Sequence, residues 1–280
     1  MVVIFLIMLS VFIITGLPHI EFKNLTPFMP NGIGSVFEAA ALGYFSFAGF
    51  ITLLEFGGEI KKPSVNIPLG LAISFAIVLA SYGGISMVLS GIETSGGFAG
   101  MVTPVLDMAG NFLPQWMISA LVISILAAAA TTINGLILGY SRDIFVVAEA
   151  KIFPEILARR SGKYQMPIYA IITYTLLSVV AILTGSDIRD YALVAVLGLL
   201  IQQLFIAVSL YRLPNVMASV YETAEFKLSI GVIKLVSVLL FAISAGFIFK
   251  MVSDASFFGL IILGVLGIGS LYYFVMIERD

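Results

Sequence analysis

Eight apolar runs follow one another along the chain, over residues 2–16, 35–57, 67–90, 116–140, 168–184, 191–211, 230–249 and 257–276. Only polar or Gly/Pro-bearing breaks separate them, and this leaves little choice of fold. A helix needs about 17–25 apolar residues to cross a bilayer core, and seven of the eight runs have that length. Lipid offers no hydrogen-bond partners, so only helices and closed barrels can span it. The alternation of barrel strands is missing from these runs. The chain is therefore expected to be an all-α polytopic membrane protein, with about eight transmembrane helices in a single membrane domain. Composition points the same way: 60% of residues are hydrophobic and 11% charged, against roughly 45–50% and about 25% in soluble domains.

The same composition excludes several kinds of chemistry. The chain has no cysteine and one histidine, His19, which rules out disulfides, thiolate nucleophiles and histidine-built metal centres. No basic block suggests nucleic acid and no serine stands in a nucleophile setting, so neither a nucleic-acid partner nor an enzymatic activity is expected. The run over residues 2–16 lacks the basic flank and the cleavage site of a signal peptide. It is read as a membrane span, short enough that the chain begins inside it, and His19 after it is expected to be solvated in an outer loop. Counted by loop, 11 of the 14 basic residues, from Lys61 and Lys62 to Arg279, fall on one side of the membrane. Lys23, Arg189 and Lys250 fall on the other. The positive-inside rule then puts both termini in the cytoplasm.

Within this frame the run over residues 35–57 is unusual. Its middle is the aromatic-glycine patch Tyr44-Phe45-Ser46-Phe47-Ala48-Gly49-Phe50, and it ends in the charged stop Glu59-Ile60-Lys61-Lys62-Pro63. Gly43, Gly49, Gly57 and Gly58 each weaken a helix by about 1 kcal/mol. A spanning helix broken near the midplane frees backbone N–H and C=O groups for a polar ligand, and residues 46–49 lie where such a break is useful. The alternative is that these glycines let another helix approach closely. Glu55 lies one turn deeper than Glu59, and a carboxylate within a span is functional by default. Glu59 is expected at the water boundary beside Lys61 and Lys62, and Glu38 in water at the opposite end.

Other polar groups within spans are few. Ala127 to Ala130 precede Thr131-Thr132-Ile133-Asn134. Adjacent hydroxyls suit a hard cation such as Na+; alternatively Thr131 and Thr132 bond back to their own helix and Asn134 to a neighbour. Gln202 and Gln203 need partners, and nothing in the sequence identifies them. Outside the spans, Thr103-Pro104 through Gly110 predicts a short helix with Thr103 as N-cap, whose apolar face would be Val102, Val105, Leu106 and Ala109. Phe153-Pro154-Glu155 predicts a second one inside the connector over residues 141–167. Trp116 is placed as an interfacial anchor.

Together these motifs resemble the amino acid–polyamine–organocation superfamily of secondary transporters. AAALGYFSFAGF followed by GGEIKKPSVNIPLGL looks like that family's sixth helix and the turn after it. Gly58-Glu59 stands where the family often has two glutamates, and Lys62 where it often has asparagine. Thr26 to Gly32 is similar to the loop before that helix. Thr132-Ile133-Asn134, Ser141-Arg142-Asp143-Ile144-Phe145 and Phe153-Pro154 are similar to the eighth helix and its loop, and Met166 to Ala170 to the start of the ninth. The resemblance implies a leucine-transporter-type fold. Residues 1–34 would then be part of helix five with its outer loop, 35–211 the second five-helix inverted repeat, and 212–280 two extra helices, with helices one to four absent. It further implies ion-coupled amino-acid transport by alternating access in the cell membrane, without covalent chemistry. Phe45, Ser46, Phe47, Ala48, Gly49 and Phe50 would be half of the substrate site. Thr131 and Thr132 would be ion ligands, Glu55 and Asn134 buried polar or coupling groups, and Na+ or H+ the coupling ion. The partners implied are the lipid bilayer, an amino acid, and an N-terminal segment or separate chain supplying the other half of the site. A non-transporting remnant or membrane scaffold is the alternative, and alone this half is expected to show no saturable uptake.

Overall fold

The computed structural model describes residues 1–280 apart from 30, 31, 56, 95, 99, 100, 163–165, 186, 225, 226, 255, 273 and 275–280; the side chains of residues 52, 54, 55, 59, 256 and 258 also lie outside the description. Its helices are α1 (Val2–Gly16), α2 (Gly32–Phe45), α3 (Gly49–Glu55), α4 (Pro63–Ile92), α5 (Pro104–Ala109), α6 (Gln115–Glu149), α7 (Ile168–Leu183), α8 (Ile188–Val216), α9 (Ala218–Thr223), α10 (Ile230–Asp254) and α11 (Ser256–Tyr272). Among the described residues there is no strand, only an isolated bridge between Ser161 and Met166. Among the described residues six segments are long and apolar enough to cross a bilayer: Val2–His19, Gly32–Ile51, Pro63–Ile92, Gln115–Glu149, Ile188–Val216 and Ile230–Asp254. α7 and α11 are apolar but shorter, at 16 and 17 residues. The chain is an all-α polytopic membrane protein.

Several boundaries differ from expectation for physical reasons. The first span does not stop at Gly16, because a 3-10 turn over Leu17–His19 continues it. His19 is not merely solvated: its Nδ1 lies 3.1 Å from the Thr15 carbonyl and its ring stacks on Phe112. α6 runs nine residues past Tyr140. Hydropathy falls at Arg142-Asp143, but the helix continues because Phe145 and Ala148 are buried against the segment that follows. Arg160 clamps that segment down, with its guanidinium 4.7 Å from the Phe145 ring centroid and bonded to Glu149 at 3.2 Å. The predicted helix after Pro154 is a 3-10 turn, Glu155–Ala158.

The outer short helix forms as α5, with Pro104 in its first turn. Met108 and Ala109 are its buried residues, while Val102 is 92% exposed and lies off the packed face. Val102 precedes the N-cap Thr103, so it lies outside the helical period that places Met108 and Ala109 on the buried face.

Two cores hold the helices together. Phe12, Val88, Ala109, Leu113 and Leu121 join α1, α4, α5 and α6. Val196, Leu197 and Leu200 of α8 pack with Met251 of α10, and Tyr44 of α2 and Ile261 and Ile262 of α11 lean on them. The remaining apolar surface faces outward, as on α7, where Leu176, Leu177, Val180 and Ile182 are exposed. That distribution suits a lipid solvent, in which burying such residues gains nothing. Small residues bring α1 close to α4. A Cβ at Gly84 would lie 2.8 Å from Ile13 Cδ1, and one at Gly91 would lie 2.6 Å from Ile20 Cγ2.

Candidate functional site: a broken helix and its supports

The helix at residues 35–57 is broken where its glycines and aromatics suggested. α2 ends at Phe45, α3 begins at Gly49, and Ser46, Phe47 and Ala48 form a turn between them. The amides of Ser46, Phe47, Ala48 and Phe50 donate to carbonyls three residues back, at 3.0–3.1 Å. This tighter register interrupts the α-helical ladder. Among the described residues a Cβ at Gly43, Gly49 or Gly58 would meet nothing within 4 Å, and one at Gly57 would lie 3.6 Å from Ile67 Cδ1. Close-packed glycines occur instead at the α1–α4 contact.

The aromatic side chains on the turn are partly ordered by one another. Phe47 and Phe50 meet edge-on with ring centroids 5.5 Å apart, and Phe75 of α4 lies 5.4 Å from Phe47. Beside them is a shallow, open apolar depression lined by Phe50, Ile51, Leu71, Ala72 and Phe75. Phe45 is exposed, Ser46 and Ala48 half-buried. The charged stop also forms as read: a 3-10 turn over Gly57–Glu59 leads to Lys62 in the left-handed region, and Pro63 starts α4. The side chains of Glu55 and Glu59 lie outside the described residues.

A polar chain supports α2, the N-terminal half of the broken helix. The Gln203 amide of α8 donates to the Tyr44 hydroxyl of α2, and its carbonyl oxygen accepts from the Ser244 hydroxyl of α10 at 3.0 Å. Ser244 is fully buried. Tyr44 stands two residues before the turn, so three helices are tied together next to the break. In the sequence, an amide inside an apolar run was the only signal of this, and its partners lie 159 and 41 residues away. Gln202 is exposed.

At the end of the bundle holding Arg189 and Lys250, Glu38 is ion-paired with Arg189 rather than only hydrated. They line a cavity of about 560 Å³ with Asp187, Asp190, Lys250 and Asp254. On α6 the Thr131 hydroxyl donates to the Ala128 carbonyl at 2.8 Å, the back-bonded alternative. Thr132 and Asn134 are exposed, and α3 is the half-helix that packs on α6. Among the described residues no group of three His, Cys, Asp or Glu side chains has the arrangement of a metal site.

Comparison with known proteins adds an independent line. A family model described as amino acid permease matches residues 1–276. The chain is 27% identical over 170 residues to the branched-chain amino acid permease BcaP of Bacillus subtilis, covering 61% of this chain and 37% of that protein. It is 30% identical over 183 residues to cationic amino acid transporter 5 of Arabidopsis thaliana, covering 63% and 31%. It is 25% identical over 158 residues to a methylthioribose transporter of Bacillus subtilis, covering 56% and 34%. The matched stretch spans about a third of the length of each of these relatives.

Proposed function

The chain belongs to the amino acid permease family, a family of membrane transporters, and we propose that it carries the substrate-facing broken helix of an amino-acid transporter working by alternating access. The observation that carries this reading is the turn at Ser46, Phe47 and Ala48 inside an otherwise apolar span. A polar solute in mid-membrane needs hydrogen-bonding groups there, and a broken helix supplies them from its own backbone. Because the amides of Ser46, Phe47 and Ala48 already donate within the turn, the groups offered here are carbonyl oxygens. Gly49 opens space on one side of the turn, while Phe47 and Phe50 offer rings to the apolar part of a substrate. Amino acids are the substrate class because relatives named for branched-chain and cationic amino acids match 61% and 63% of this chain. The coupling ion is Na+ or H+, with Thr131 and Thr132 as hydroxyl ligands and Glu55 and Asn134 as polar groups on the route. The cell membrane is the expected location, with both termini cytoplasmic.

Uptake of labelled leucine, arginine and methylthioribose into proteoliposomes tests the proposal. It is measured for the chain alone and for the chain together with any membrane segment encoded beside it. Gly49→Leu is expected to abolish saturable uptake and Gly269→Leu to leave it intact. Both glycines face open space, but only the first adjoins the turn. Equal uptake by the two variants would remove the turn from the substrate path. No saturable uptake in either arrangement would favour a membrane scaffold.

A further inference from the structure

A second site lies away from the broken helix, between α8 and α10. α8 and α10 are the most extensively packed pair of helices, yet between them a groove of about 300 Å³ remains open. Its walls are almost wholly apolar: Ala207 and Val208 on α8, and Val238, Phe241 and Ala242 on α10. At one end the lining changes abruptly to Tyr211 and Arg212. The Lys234 ammonium sits 5.5 Å from the Tyr211 ring centroid, which brings a second cation to the same mouth. Among the described residues neither Arg212 nor Lys234 has a carboxylate partner. From Ser237 to Ala242 the groove runs about 7.5 Å along α10, at 1.5 Å per residue.

We propose that this groove holds one anionic phospholipid, with the phosphate on Arg212 and Lys234 and an acyl chain between α8 and α10. An apolar slot facing lipid explains a hydrocarbon tail but not a charged mouth. Two cations without carboxylates at the membrane surface explain an anionic headgroup, because each basic residue there favours anionic lipid about fivefold. A soluble anion would use the mouth and leave the slot unexplained. A zwitterionic lipid would bring its own ammonium against the two cations. The ring of Tyr211 holds Lys234 in place, since a cation over an aromatic face is attracted to it.

The test is native mass spectrometry of the purified full chain in detergent, titrated with phosphatidylglycerol and with phosphatidylcholine of the same chain length. Phosphatidylglycerol is expected to bind more tightly, by an order of magnitude or more if the two charges act together. Arg212→Gln and Lys234→Gln should each weaken it about fivefold and leave phosphatidylcholine unchanged. Arg212→Lys should retain most of the preference, which separates charge from loss of fold. Ala242→Phe, which fills the slot, should weaken both lipids. Glycerol phosphate, which lacks a tail, should bind far more weakly than phosphatidylglycerol. Equal affinity for the two lipids, or an unchanged preference in the double glutamine variant, overturns the proposal. So does binding of glycerol phosphate as tight as that of the intact lipid. None of these readouts depends on transport.

Discussion

Replacing Gln203 by leucine probes the polar chain that ties α2, the N-terminal half of the broken helix, to its neighbours. Leucine nearly preserves the volume, so the change removes two hydrogen bonds rather than opening a cavity. Hydrogen bonds between transmembrane helices average about 0.6 kcal/mol and reach about 1.7. The Ser244 hydroxyl can fall back on a carbonyl of its own helix, which places its loss near the lower figure. Tyr44 lies in a half-helix whose end is already a turn, so its loss belongs nearer the upper one. Gln203→Leu is therefore expected to cost about 2 kcal/mol. For a chain of 280 residues that lowers the melting temperature by roughly 3–4 °C. The assay is thermal unfolding of purified protein in one detergent, for Gln203→Leu, Tyr44→Phe, Ser244→Ala and the two double variants containing Gln203→Leu. Each cycle should return a coupling of about 0.6 kcal/mol or more. Additivity in both, within about 0.3–0.5 kcal/mol, would refute the reasoning, because independent side chains do not form a chain of hydrogen bonds.

Other outcomes follow from packing. Gly91→Ala is expected to destabilise by about 1–2 kcal/mol, because overpacking against Ile20 outweighs the gain in helix propensity. Gly246→Ala on α10 meets nothing within 4 Å, and in the same melting assay it should be neutral or stabilising by up to about 1 kcal/mol. Arg160→Ala should release the segment after α6 from Phe145 and Glu149. Limited proteolysis between residues 150 and 160 would then be several-fold faster, while the melting temperature changes by no more than an exposed pair is worth, under about 1 kcal/mol. An unchanged cleavage rate would mean that Glu155–Ala158 is held by its packing on α6 and α7 alone.

How far the molecule could be read from its residues depended on what each residue had to interact with. The spans were legible because transfer into lipid is decided by run length and apolar content, which are local. The turn at Ser46, Phe47 and Ala48 was legible because glycines mark where the helix ladder is cheap to interrupt. Pro63 and Pro104 mark helix starts for a similar local reason: the ring presets the backbone, and the missing N–H has no partner to lose there. The extension of α6 to Glu149 was not legible. Hydropathy records what leaves the membrane, not that Phe145 and Ala148 find a cover of their own beyond it.

The tertiary structure decided the pairings. It separated the glycines that pack, Gly84 and Gly91, from Gly43 and Gly49, which face open space; composition treats all four alike. It gave Gln203 its partners in Tyr44 and Ser244, and Glu38 its partner in Arg189. It placed Arg212 and Lys234 at the mouth of one groove. Helix formation in lipid follows from each segment's own backbone and side chains. Which polar group meets which depends on how helices far apart in sequence cross. The sequence by itself thus determined a many-helix membrane protein with one interrupted span, and only the packing of α2, α8 and α10 determined what holds that interruption in place.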